Sequence, residues 1–230
     1  MLGQAALAMW WDMAPDMREE FEHWHSHEHF MERLALPGFL RASRWADEAG
    51  GEGFFVLYEL ATHGAFVSPQ YLASLNAPSE WSQRMMPHHR NMIRSQCHVL
   101  ESRGGGVAGH AMTSRFSPVT GKQEQLRSRL RELAEELSAR PGLAGVHLLQ
   151  TDTPPIAPTT EQRIRGLADR AADWILVATG YDAHELRRCA GAELSAAALE
   201  RAGAAPGVTA GFYALRLSMT EAEVKDQLRD

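Results

Sequence analysis

Cysteine is nearly absent from this chain: Cys97 and Cys189 are the only two among 230 residues. Two isolated thiols, one in each half, build neither a disulfide framework nor a zinc knuckle, and they fit a reducing cytoplasm. A basic excess is absent too. Lys and Arg number 23 against 29 Asp and Glu, for a net charge of -6, so there is no electrostatic footprint for nucleic acid or anionic lipid. No stretch approaches the roughly 20 apolar residues of a membrane span. The apolar run Ala5-Ala6-Leu7-Ala8-Met9-Trp10-Trp11 has no basic segment before it and ends at Asp12, so it reads as a first strand rather than a signal peptide. No Gly-rich phosphate loop follows a strand, which argues against a nucleotide-dependent enzyme. With 44% hydrophobic and 23% charged residues, what remains is an ordinary globular composition. A small or neutral molecule is the expected partner.

The clearest break is Ser102-Arg103-Gly104-Gly105-Gly106, a run too flexible to continue a strand or helix. It divides the chain into residues 1–103 and 107–230. Before it the pattern predicts strand (4–11), helix (15–35), strand (39–45), strand (53–60), a helical region broken at Asn76-Ala77-Pro78, and strand (90–100). After it the order returns: strand (110–116), helix (122–139), strands (143–150 and 172–179), helical material (183–202) and strand (209–217). Pro37-Gly38 and Pro141-Gly142 occupy the same place in each half, a diverged duplication with a period of about 105 residues. A βαββαβ unit forms a four-stranded antiparallel sheet with helices on one face only. The expected fold is therefore α+β: tandem ferredoxin-like repeats packed sheet to sheet as an internal pseudo-dimer, with homodimerisation a further possibility.

The two first helices differ. Residues 122–139 place Leu126, Leu130, Leu133, Ala134 and Leu137 on one clean stripe. The first-half helix, projected at about 100° per residue, aligns Met17, Phe21, Trp24, Met31 and Ala35 with Glu28 near the middle of the stripe. His25 and Glu32 flank it, and His29 and Arg33 lie beyond. A carboxylate facing a core requires a partner or a task. An ion pair with Arg41 or Arg44 from the following strand is one answer and a working site the other. Either way the polar set places the site in the first half and leaves the second as scaffold.

The string Trp24-His25-x-x-Glu28-His29-x-x-Glu32-Arg33-Leu34-x-x-Pro37-Gly38-Phe39-x-x-Ala42-x-Arg44, with Leu57-Tyr58-Glu59-Leu60, Ser68-Pro69-x-Tyr71, Trp81, Asn91 and Arg94, resembles an EthD-like family of the dimeric α+β barrel superfamily. Its pattern reads W-Y-x-x-E-H-x-x-E-R-L-x-x-P-G-F, with His25 here in the tyrosine position. The resemblance implies a cavity between sheet and helices for small molecules, often aromatic-derived or polyketide-like. Relatives in the superfamily include lactone isomerases, cofactor-independent oxygenases, polyketide cyclases and haem enzymes. The same letters match the H-x-x-E-H zinc-peptidase string, but that motif belongs to larger chains with a further carboxylate ligand on another helix.

The expected function is cofactor-independent acid–base chemistry on a carbonyl compound from aromatic or related catabolism, either isomerisation or ester or lactone hydrolysis. Glu28, His29 and His25 are the candidate catalytic groups: an imidazole moves the proton and Glu28 orients it. Arg41, Arg44, Tyr58, Trp81, Asn91 and Arg94 are the candidate substrate contacts, supplying anion clamps, a hydroxyl and an aromatic wall. Two alternatives stand beside this reading. One is a non-catalytic small-ligand-binding or accessory protein. The other is a metal or haem enzyme using the histidines; no metal is expected, but if one binds, His25, His29 and Glu32 are its ligands, at a sound helical spacing. Cys97, in an apolar strand, is expected to be inert.

Overall fold

In the computed structural model, which describes residues 1–166 and 169–227, each half forms an antiparallel sheet. The first contains β1 (Ala5–Asp12), β2 (Phe39–Asp47), β3 (Gly53–Leu60) and β4 (Arg90–Gly104), in the spatial order β2-β3-β1-β4. The second repeats it with β5 (His110–Phe116), β6 (Leu143–Thr151), β7 (Trp174–Gly180) and β8 (Thr209–Thr220), ordered β8-β5-β7-β6. The halves do more than face each other. β2 pairs with β8 and β4 with β6, both antiparallel, so the eight strands close into a barrel. Closure uses up the unpaired N–H and C=O rows that two open sheets would leave at their edges. It also corrects the expected end of β4. Ser102 pairs with His147 and Gly104 with Gly145, so the strand runs into the glycine segment. Gly104 has φ +74 and backbone of Ala144 where a Cβ would sit, so only glycine fits that close approach.

Alternation along each strand separates three cores. Inside the barrel, Trp10 stacks on Phe55 (ring centroids 5.0 Å apart) and Phe55 on Trp45 (5.3 Å); Ile175 and Val177 complete a filled interior. Outside, the first sheet is covered by α1 (Arg18–Trp24), α2 (Phe30–Leu34), α3 (Pro69–Asn76) and α4 (Glu80–Met85). The second is covered by α5 (Gln123–Ser138), whose five predicted stripe residues are all buried. Ser68 and Ser79 cap α3 and α4 by accepting the N–H groups of Tyr71 and Ser82, the role expected of serine there.

One connection departs from the duplication. Between β6 and β7 the chain crosses the seam onto the first half and forms the short helix α6 (Thr160–Ile164). The Thr160 N–H donates to Asn76 Oδ1 (3.0 Å), and the Arg94 N–H to the Arg170 carbonyl (2.7 Å). Of the remaining helices, α7 (Ala183–Gly191) and α8 (Ala196–Ala202) take the place of the expected single region at 183–202, and α9 (Glu221–Gln227) follows β8 and buries Val224 in the first-half core.

Candidate functional site

Between α1 and α2 the helix does not run straight. His25–His29 is a π turn, in which the Phe30 N–H donates to the His25 carbonyl five residues back. Such a turn inserts one residue and rotates everything beyond it by about 100°. Side chains support it locally: the Ser26 hydroxyl donates to the Glu22 carbonyl (2.6 Å) and His27 Nδ1 to that of His23 (3.0 Å). The rotation overturns the straight projection. Phe30, Arg33 and Leu34 turn inward with Phe21, Trp24 and His25, while Ala35 is exposed.

Glu28 is thereby turned toward α4. Its carboxylate accepts from Trp24 Nε1 (3.1 Å), from the Ser79 hydroxyl at the start of α4, and at the limit of hydrogen bonding from Ser82 (3.5 Å). The expected ion pair with Arg41 or Arg44 does not form. Arg41 points into the barrel and pairs with Glu59 (2.6 Å). Arg44 lies under the helix, donating to the Glu22 carbonyl and the Ser26 hydroxyl over the face of Phe21. Glu28 thus clamps one helix to another. Glu28→Ala is expected to cost about 1–2 kcal/mol, the usual penalty for leaving buried donors unmatched, and to leave ligand binding in the neighbouring cavity unchanged; thermal denaturation and a binding titration check the two halves of that statement.

That cavity lies between the outer face of the first sheet and the helices and encloses about 40 Å³. It gathers His25, His29, Tyr58 and Arg94 from among the predicted residues. It leaves out Glu28, Arg41, Arg44, Glu32, Trp81 and Asn91. Trp81 donates from Nε1 to Glu20 (2.7 Å), and Asn91, at φ 55, donates to Asp12 (2.8 Å). Nor do His25, His29 and Glu32 converge as a three-ligand set: Glu32 lies 3.8 Å from His29 Nδ1, but the three donor groups do not all come within 4.8 Å of one another.

The cavity walls combine aromatic rings with polar groups that have no partner. His25 is buried against Phe30 (4.3 Å between centroids) and Phe21 (5.1 Å), and His29 lies over Trp24 (4.6 Å). Among the described residues, nothing hydrogen-bonds to His25 Nδ1, His29 Nδ1 or the Tyr58 hydroxyl. Burial holds all these groups uncharged. It drives the His25 imidazole well below its ordinary value, with the charge of Arg44 adding to the effect. It takes His29 down to about 3, assisted by Arg33, and His89 to about 3, assisted by Arg165. The Tyr58 hydroxyl is pushed up for the same reason. Burial likewise pushes the Cys97 thiol up to about 12 in the barrel wall, which keeps it protonated at pH 7.

Positive charge dominates the walls. Arg94 donates to the Tyr71 hydroxyl (2.8 Å), and among the described residues no carboxylate pairs with it. Arg33, expected outside the apolar stripe, is buried and pairs with Glu161 while also donating to Ser74. Arg165 pairs with Asp169 (2.7 Å) and lies 3.8 Å from Glu161. Glu161 and Arg165 come from the second half, which was expected to be mainly scaffold and here lends two residues to the cavity wall. The residues the sequence did not assign are therefore Arg33, Tyr71, His89, Glu161 and Arg165. Tyr71 and Arg33 stand within the motif string; the other three carry no local signal.

The sequence matches no protein-family model and no curated protein. In three dimensions the chain is similar to a candidate monooxygenase from Fusobacterium nucleatum, at 10% identity and a TM-score of 0.63, with 96% of each chain covered. An anthrone oxidase-like protein is similar at 12% identity and 0.64, covering 96% of this chain and 94% of that one. A candidate monooxygenase from Lactobacillus acidophilus is similar at 10% and 0.62, covering 95% and 97%. Likeness at this level shows a shared fold: the α+β barrel built from two ferredoxin-like halves.

Proposed function

We propose that this chain is a small-molecule enzyme that moves a proton on a compact enolisable carbonyl or phenolic compound bound in the cavity beside the π turn. The observation that carries this reading is the coincidence, in one small cavity, of an arginine without a carboxylate partner among the described residues and four buried polar groups without hydrogen bonds, on Trp11, His25, His29 and Tyr58. Buried polar groups are nearly always paired, so such a set marks a place that a ligand completes. Arg94, steadied by Tyr71, receives the charge on an enolate or phenolate oxygen. His29 or His25, neutral at pH 7, takes the proton. An imidazole held near 3 is a weak base in an empty cavity, and the anion formed beside it is what stabilises the imidazolium.

Returning the proton to a different carbon completes an isomerisation without a cofactor. The names of the fold neighbours favour oxygenation as the other outcome of the same deprotonation: a CH2 group and dioxygen give a carbonyl and water. Ester or lactone hydrolysis has less support, because no serine, threonine or cysteine lines the cavity among the described residues. The volume of about 40 Å³ holds roughly three water molecules. A ring compound therefore enters by displacing the wall that α6 and Arg165 build.

Trp11 and Trp24 line the cavity, so a panel of phenols and enolisable ketones, anthrone included, is titrated by tryptophan fluorescence. Saturable quenching is expected in the wild type, weakened at least tenfold in Arg94→Met and unchanged in Arg90→Met, whose exposed side chain pairs with Glu52. For a compound that binds, exchange of the enolisable hydrogen with deuterium is expected to fall about 10²-fold or more in the His25→Gln/His29→Gln double variant. Oxygen uptake separates the two outcomes. Full exchange in that variant would refute the proton-transfer role. The smallness of the cavity favours a second reading, binding without turnover, which ligand quenching with neither exchange nor oxygen uptake in the wild type would support.

A further inference from the structure

A second polar cluster lies apart from the cavity. His63 opens the short 3₁₀ turn His63–Val67 after β3, His98 is on β4, and Asp152 follows the last residue of β6. A ring nitrogen of each histidine and a carboxylate oxygen of Asp152 all lie within 4.8 Å of one another, the only such trio of His, Cys, Asp or Glu among the described residues. The two imidazoles stack nearly parallel, with centroids 4.0 Å apart and planes at 16°. His98 Nε2 is 3.2 Å from Asp152 Oδ2, and His63 Nε2 is 2.7 Å from the Asp152 carbonyl oxygen.

We propose that His63, His98 and Asp152 bind a divalent transition-metal ion of the zinc class, which ties the first half to the connector that walls the cavity. Three features carry this. The first is spacing: two metal bonds of about 2.1 Å at the tetrahedral angle hold their donor atoms roughly 3.4 Å apart, close to the 3.2 Å between His98 Nε2 and Asp152 Oδ2. The second is orientation. One nitrogen of His63 is engaged by a backbone carbonyl, the arrangement that fixes metal-bound imidazoles and leaves the other nitrogen for the ion. The third is rigidity. His98 pairs in register with Gln150, and the Asp152 N–H donates to the Gln96 carbonyl (2.8 Å), so the backbones of His98 and Asp152 stand on a fixed frame, from which one imidazole turns out of the stack to bring both rings onto one ion.

Two imidazoles and one carboxylate select zinc, cobalt, nickel or copper over calcium or magnesium, which prefer all-oxygen shells. Partial exposure of the cluster leaves positions for water. The cluster joins two first-half histidines to Asp152 at the root of the connector that continues to α6, so an ion there stiffens the wall bearing Glu161 and Arg165. This site is independent of any reaction in the cavity.

The full chain is dialysed against ZnCl2 and the bound zinc counted by atomic emission, with CoCl2 used in parallel for its visible ligand-field bands. One tightly held ion per chain is expected in the wild type, with affinity at least tenfold weaker in His98→Ala and in Asp152→Ala and the cobalt bands lost in both. Zinc is expected to raise the thermal midpoint of the wild type and not of these variants, a comparison that holds even where a variant is itself less stable. His27→Ala, which removes the exposed His23/His27 pair as an alternative, leaves zinc uptake unchanged. The proposal is overturned if the wild type holds no ion, if uptake survives in His98→Ala and Asp152→Ala, or if it disappears in His27→Ala.

Discussion

Lowering the pH from 7 to 5 is expected to remove on the order of 6 kcal/mol of folding free energy. The cause is four imidazoles that the fold keeps neutral. Burial, the leading influence at each, holds His29, His89 and His147 down to about 3 and His25 well below its ordinary value. In the unfolded chain each titrates near 6.5. Because the folded values lie below the unfolded one, the unfolded state takes up protons that the folded state refuses. Stability is therefore present in full above about pH 6.5 and is lost as pH falls toward 3, with a slope of up to about 1.4 kcal/mol per pH unit for each histidine. At pH 5 that is about 2 kcal/mol for each of the three held near 3, with His25 acting in the same direction, and the total reaches the range of an ordinary domain's whole stability, 5–15 kcal/mol. Urea midpoints between pH 7 and 5 test it. His89→Gln and His147→Gln should each flatten the dependence by about one proton, and a stability that stays level across this range would refute the assignment. The same burial keeps His25 and His29 neutral as proton acceptors at pH 7, so the chemistry proposed for the cavity and its acid sensitivity have one origin.

Arg33→Met is expected to cost about 3 kcal/mol or more, the largest effect of any single charge change in this chain. Both members of the Arg33–Glu161 pair are almost completely buried, with side chains 5% and 6% exposed. Removing the arginine strands a carboxylate whose other cation, Arg165, stands 3.8 Å away and is already committed to Asp169. An unpaired buried charge of this kind is far more costly than a lost surface contact. By contrast, Arg90–Glu52, with both side chains nearly half exposed, should contribute under about 1 kcal/mol. The double variant Arg33→Met/Glu161→Met should recover most of the loss, because neither charge is then left alone. Denaturant midpoints for the two singles and the double measure the coupling, and additive losses would show that the pair does not act as a unit. The pair also fastens the second-half connector over the first-half cavity, so Arg33→Met should loosen the wall as well as the fold.

How much of this was legible in the sequence depended on whether the responsible interaction was local. The repeated βαββαβ order, the Pro-Gly turns and the leucine stripe of α5 all express periodicity or the preferences of adjacent residues, and they appear in the structure as expected. His25, His29, Tyr58 and Arg94, which line the cavity, were named in the sequence because they stand in the motif string and its later pieces, not because a projected helix or strand face singled them out. Glu28 was misplaced for a definite reason: a single π turn adds one residue to the helical register, and a projection at constant angle carries the error into every later position. Arg41 and Arg44 illustrate a rule that was available, since residues three apart in a strand point to opposite faces. Only one of the two could ever have met the helix.

The sequence by itself determined the halves, their element order and the alternation that divides barrel interior from helical cover, because hydrophobic periodicity and turn chemistry act over a few residues. Only the tertiary structure decided that the sheets close edge to edge, that Glu28 holds α4 rather than an arginine, and that Glu161 and Arg165 complete a cavity belonging to the other half. Glu161 lies 128 residues from Arg33. A buried charge imposes no period on its neighbours, so such a pair becomes visible only when the fold brings the two residues together.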